Sequence, residues 1–157
     1  MKPRLYLETT IPSYLVARRS RDLRLVADQE TTQQWWEAER HDYELFISQA
    51  VVFEVSRGDA DFAAARLGYL RNLPLLPRTP AASALITHLL ASDIIPAVAE
   101  DDAAHIGLAA AHGMDFLLTW NCRHINNHQI RGRIERACAA FGLAMPDICT
   151  PAELMKH

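Results

Sequence analysis

Apolar residues fall into two patterns along the chain. One is a set of short apolar runs: Arg4-Leu5-Tyr6-Leu7-Glu8, Glu44-Leu45-Phe46-Ile47-Ser48, Leu73-Pro74-Leu75-Leu76-Pro77, Phe116-Leu117-Leu118-Thr119 and Asp147-Ile148-Cys149. Runs of this length predict strands, and their lack of polar alternation predicts a sheet covered on both faces. The prolines of the third run place it near an edge. Between the runs lie stretches with apolar positions three and four apart, which predict helices. One starts near Pro12. The next covers residues 22–40. Another runs from a Ser48 cap to Arg57 and is closed by Gly58. One begins at an Asp59 cap and continues to Asn72. Further helices are predicted over 80–92, from Asp101 to His112 before Gly113, over 126–141 before Gly142, and as a turn starting at Thr150-Pro151.

Strands alternating with helices predict an α/β protein with a mostly parallel central sheet. No linker, repeat or low-complexity tract divides the 157 residues, so the expectation is one domain over 1–157. In such sheets ligands bind beyond the carboxyl ends of the strands, and the residues just after each strand are the ones to inspect.

Composition narrows the function classes. Half of the residues are apolar and 22% are charged, the balance of a folded domain rather than of a disordered or collagen-like chain. No uninterrupted apolar stretch approaches the ~18 residues of a membrane span, and the first residues lack the apolar core of a signal peptide. A cytoplasmic protein with no membrane partner is the expectation. Cys122, Cys138 and Cys149 are too few and too scattered for a disulfide framework, in keeping with a reducing compartment. The net charge of −3 is unevenly spread, since residues 79–122 hold five acids and no Lys or Arg. Arg18, Arg19 and Arg21 form a basic cluster after the first predicted strand.

Glu8 follows the first strand. Glu54 sits in the apolar run Val51-Val52-Phe53-Glu54-Val55, where a carboxylate is costly unless it is paired or bound to a cation. Asp101-Asp102 opens a helix, and Asn121 follows the fourth strand. Taken singly, Glu8 also fits a solvated strand end, Asp101 or Asp102 a helix cap, and Asn121 a turn. Taken together, their shared place beyond the strands predicts an oxygen-rich site for a hard divalent ion such as Mg²⁺ or Mn²⁺. Asp115 precedes the fourth strand, up to ~20 Å of extended chain from Asn121, and is expected to be structural. His105, one turn after Asp102, is either a donor beside the site or a satisfied core histidine. His124 and His128 have the i, i+4 spacing of a zinc pair but start in a loop without a neighbouring Glu. Cys122 lacks an obvious base. No dinucleotide, phosphate-loop or serine-hydrolase motif is present.

Four segments together resemble the PIN-domain family, and within it the VapC-like toxins of toxin–antitoxin pairs. They are Tyr6-Leu7-Glu8-Thr9-Thr10-Ile11-Pro12-Ser13, the Glu54 helix, Asp102-Ala103-Ala104-His105-Ile106 and Asp115-Phe116-Leu117-Leu118-Thr119-Trp120-Asn121. The resemblance implies a three-layer α/β/α sandwich and a Mg²⁺- or Mn²⁺-dependent ribonuclease. It also implies a homodimeric toxin neutralised by a small antitoxin. Glu8, Glu54, Asp102 and Asn121 match the family's four acidic positions as metal-binding and catalytic residues. Two departures stand out: Glu8 is longer than the usual Asp, and Asn121 is neutral, which leaves three formal negative charges. A catalytically inactive PIN-like module binding RNA or protein is the alternative expectation. Arg18, Arg19 and Arg21 are candidates to grip the RNA backbone, and Trp35, Trp36 and Phe62 are candidates for a dimer surface.

Overall fold

In the computed structural model, which describes residues 1–155, the strands lie where the apolar runs place them. They are β1 (Arg4–Leu7), β2 (Glu44–Ser48), β3 (Leu75–Leu76), β4 (Phe116–Leu118) and β5 (Asp147–Cys149). The helices are α1 (Thr10–Val16), α2 (Leu23–Ala38), α3 (Gln49–Val55), α4 (Ala60–Tyr69), α5 (Pro80–Ala91), α6 (Glu100–Ala111), α7 (Arg131–Ala140) and α8 (Pro151–Leu154). Short 3₁₀ turns cover Arg40–Asp42 and Ala97–Ala99.

Among the described residues the five strands form one sheet in the order β3-β2-β1-β4-β5, and every pair is parallel. The chain first steps from β1 to β2 to β3, then crosses back to β4 and on to β5. Parallel crossovers are right-handed, so helices following the outward steps cover one face and those following the return steps cover the other. The packing agrees: α1 contacts α2 and α4, α5 contacts α6 and α7, and α3 touches both α4 and α6. This is an α/β/α sandwich. At its centre Leu5, Tyr6 and Leu7 of β1 are wholly buried, as a strand covered on both faces requires.

Two further features hold the layers in place. Gly107 lies where α6 crosses α5, and a Cβ there would collide with Ile86 Cγ1, so glycine sets the helix spacing. Thr150 and Glu153 form a reciprocal capping box that starts α8 behind Pro151. No helix among the described residues is long and apolar enough to cross a membrane.

Several boundaries differ from the sequence expectation. The third strand shrinks to Leu75–Leu76, because Pro74 and Pro77 lack the N–H a longer ladder needs. The helix after β2 stops at Val55, short of Arg57, and the one expected to reach Asn72 stops at Tyr69, with Asn72 in a left-handed conformation at φ 67°. The helix expected over 126–141 begins only at Arg131. Asparagine side chains compete for the backbone before it: Asn127 Oδ1 accepts from Gln129 N, and Asn127 Nδ2 donates to the Arg123 carbonyl. Trp35 is wholly buried in the core, stacked at a tilt against Trp36 and Tyr43, and is therefore removed from any dimer surface. Trp36 is half-buried under the Arg40 guanidinium.

Candidate metal site at the carboxyl end of the sheet

Glu8 leaves β1 on the same face as Tyr6, two residues earlier, because strand side chains alternate. Its N–H bonds to the Leu118 carbonyl, extending the β1–β4 ladder by one residue and setting Glu8 opposite Thr119. That register explains the carboxylate's partners. Glu8 Oε1 accepts from Thr119 Oγ1 at 2.7 Å, from Thr10 Oγ1 at 2.5 Å and from Thr10 N at 3.0 Å. None of these bonds uses Oε2. Burial drives the Glu8 carboxyl above its ordinary range, against the opposing pull of His105 and the threonine donors.

Glu54 comes from α3, the helix that follows β2. Its Oε1 accepts from Thr9 Oγ1 at 2.7 Å and from His105 Nε2 at 2.5 Å. Burial would raise its pKa, but the His105 hydrogen bond and charge, with help from Thr9 and Arg57, hold it below the usual range. His105 is fully buried on α6. Its Nδ1 bonds to Tyr6 Oη at 2.7 Å, and Tyr6 Oη bonds in turn to Ser48 Oγ at 2.6 Å. A polar line therefore runs from Ser48 through Tyr6 and His105 to Glu54. Burial favours neutral His105, yet the bond to Glu54 and the charges of Glu8, Glu54 and Asp102 outweigh it and raise its pKa. Burial also pushes the Tyr6 phenol well above its ordinary value, so that it remains a neutral hydroxyl.

Glu8, Glu54 and His105 each offer a ligand atom, and these atoms all lie within 4.8 Å of one another. Among the described residues they form a group that could hold a metal ion. The donor set fits one cation: two carboxylates from different elements point into one space, and among the described residues the buried ring that hydrogen-bonds to Glu54 is a histidine.

Asp102, in the first turn of α6, lies beside this group rather than inside it. Its Oδ2 meets His124 Nδ1 at 3.1 Å, and its charge reaches His105. Asn121 joins through the backbone. Its Oδ1 accepts from Arg123 N and His124 N, both at 3.1 Å, forming a turn that presents His124 to Asp102. The amide oxygen expected on a cation is thus occupied by two backbone donors. Of the four oxygen residues read from the sequence, the fold gathers Glu8 and Glu54 tightly, puts Asp102 alongside and gives Asn121 a shaping role.

Residue type and spacing leave His105 and His124 ambiguous and carry no chemical signal for Tyr6, Ser48, Thr9 or Thr10. Thr119 had a signal, since pairing Leu7 with Leu118 sets it against Glu8. His128 is exposed and forms no such group. Arg18, Arg19 and Arg21 are exposed beyond the end of α1, whose seven residues span roughly 10 Å. Arg19 pairs with Glu30 at 3.0 Å, and the Arg18 guanidinium lies over Phe62 at 5.6 Å. Burial pushes the Cys122 thiol up, which leaves it a poor nucleophile.

No protein-family model matches the chain, and no curated protein matches it.

Proposed function

We propose that the protein is a divalent-metal-dependent ribonuclease hydrolysing RNA phosphodiester bonds, with Mg²⁺ or Mn²⁺ held by Glu8 and Glu54 and assisted by Asp102. The observation that carries this reading is the convergence of Glu8, Glu54 and His105 within 4.8 Å beyond the carboxyl ends of an all-parallel sheet. A divalent cation bound there supplies Lewis-acid stabilisation of phosphate charge and an activated water. The protein's own groups set the conditions for it. Thr10 and Thr119 aim the Glu8 carboxylate, and His105 orients Glu54 while Tyr6 fixes the imidazole. Asp102 adds negative charge at the rim, and His124 holds it in place. The ordered motifs shared with VapC-like PIN domains support RNA as the substrate. The same resemblance supports a toxin that works as a homodimer and is silenced by a small antitoxin.

Incubating a labelled single-stranded RNA with the protein and Mn²⁺ tests the reading. The expected result is cleavage that EDTA stops and that Glu54→Gln lowers at least a hundredfold. RNA binding without cleavage in Mg²⁺ or Mn²⁺ would overturn it and leave a PIN-like binding module. Light scattering at micromolar concentration reads the dimer, and a mass of 17.6 kDa refutes it.

A further inference from the structure

One concavity opens between the edge strand β3 and two of the helices. It has a volume of about 530 Å³, in the range of small-molecule pockets. Its walls are the two helices that also carry the site. On α3, Gln49, Ala50 and Phe53 face the pocket while Glu54, one position on, faces the cluster. On α6, Asp101 and Ala104 face the pocket while Asp102 and His105, again one position on, face the cluster. Neighbouring Cα atoms are only about 3.8 Å apart, so the two spaces lie back to back along both helices.

We propose that this pocket is a nucleobase subsite, which seats the base of a nucleotide beside the phosphate that reaches the Glu8–Glu54 cluster. The inference rests on the ribonuclease reading and deepens it. Phe53 is 58% exposed and Leu75, at the edge strand, is 50% exposed, so two large apolar side chains flank an open slot. The Phe53 ring is held from one side. The Arg57 guanidinium stacks over it at 4.4 Å and reaches Asp101 at 3.9 Å. An aromatic ring paired with an arginine is a stacking platform for a base, and every base has a face to offer it.

The polar groups at the rim point to the base edge rather than the backbone. Glu100 and Asp101 repel phosphate but accept hydrogen bonds from exocyclic amino groups. Gln49 and Arg78 supply donors for ring nitrogens and carbonyls. Adenine and cytosine, which carry an exocyclic amino group, should therefore be favoured over uracil. A second copy of the chain is the competing occupant, and its signature is a change in oligomeric state.

The test is fluorescence anisotropy of the full chain in EDTA, so that nothing is cleaved, with labelled ten-nucleotide oligoadenylate, oligocytidylate, oligouridylate and an abasic strand. Oligoadenylate and oligocytidylate should bind more tightly than oligouridylate. Phe53→Ala should weaken the first two about tenfold, Phe53→Trp should restore them, and neither should alter binding of the abasic strand. Ala50→Trp, which fills the slot from α3, should weaken them similarly, with thermal melting checking its fold. Failure of the unmodified protein to bind any strand overturns the proposal. So does equal binding by Phe53→Ala, or a loss shared by the abasic strand. A change of oligomeric state with Phe53→Ala and no change in RNA binding assigns the pocket to a second copy instead. Cleavage in Mn²⁺ separates the two readings. Phe53-dependent binding without cleavage keeps the subsite and removes the ribonuclease; cleavage without Phe53 dependence does the reverse.

Discussion

The two ends of β1 treat their charges in opposite ways. At the amino end Arg4 opens β1 and Asp115 immediately precedes the adjacent strand β4. Asp115 Oδ2 accepts from Arg4 N at 2.8 Å, Arg4 Nη1 donates to the His112 carbonyl at 2.7 Å, and the guanidinium lies over Phe46 at 5.0 Å. A carboxylate and a guanidinium there tie strands and helix end together, with their hydrogen bonds made to backbone groups. At the carboxyl end two acids meet, one almost wholly buried, and among the described residues no Lys or Arg hydrogen-bonds to either. Among the described residues their hydrogen-bond partners are hydroxyls, one backbone N–H and a buried histidine, and Arg57 adds its charge at Glu54 without a hydrogen bond. The same residue types thus make a staple at one edge and an excess of negative charge at the other. A cation has a role only where charge is left uncompensated.

The largest effect that would sharpen this contrast is expected from His105→Ala. It takes one hydrogen-bond partner from Tyr6 Oη and one from Glu54 beside a new cavity, and should lower stability by about 3 kcal/mol in chemical denaturation. A loss under 1 kcal/mol would mean the polar line from Ser48 to Glu54 is not a structural element. Next comes Glu8→Gln, which keeps the acceptor for Thr10 and Thr119 but removes the charge. Its Mn²⁺ affinity by calorimetry should drop roughly thirtyfold, about 2 kcal/mol, with folding retained. Unchanged affinity would move the ion elsewhere.

Titration should separate the two ends as well. His105 has a raised folded pKa, so its stabilising contribution is complete below its ordinary 6.5 and is lost as pH rises through the folded value. Glu8 is also raised and acts in the same direction from the ordinary carboxylate range upward. Glu54 is lowered, so its contribution is present above the ordinary carboxylate range and is lost as pH falls through its folded value. The metal-free protein should therefore lose stability as pH rises, through Glu8 from the ordinary carboxylate range upward and through His105 from about pH 6.5 upward, with a slope of at most about 1.4 kcal/mol per pH unit for each proton. His105→Gln should flatten that slope, and an unaltered slope would assign the titration to other groups. The smallest effect belongs to the amino end. Asp115→Ala should cost about 1 kcal/mol, the loss of one hydrogen bond to a backbone N–H, and leave Mn²⁺ affinity untouched. A weakened Mn²⁺ affinity in that variant would break the separation of the two ends.

The sequence by itself determined the class of fold and the edge on which chemistry collects. Apolar runs without alternation demand a sheet covered on both faces, and short runs separated by helices demand parallel crossovers. Those two demands alone send Glu8, Glu54 and Asp102 to the carboxyl edge and Asp115 to the other. Tertiary structure decided which of those acids share a space. Glu54 meets Glu8 because α3 and α6 pack together and bring His105 up against both, a contact across 51 residues that no local spacing reports. It also decided that Asn121 spends its amide oxygen on the turn before His124, a choice settled by loop conformation rather than residue type. Periodicity records which face of an element is buried, whereas the partner of a buried polar atom depends on how distant elements close on one another.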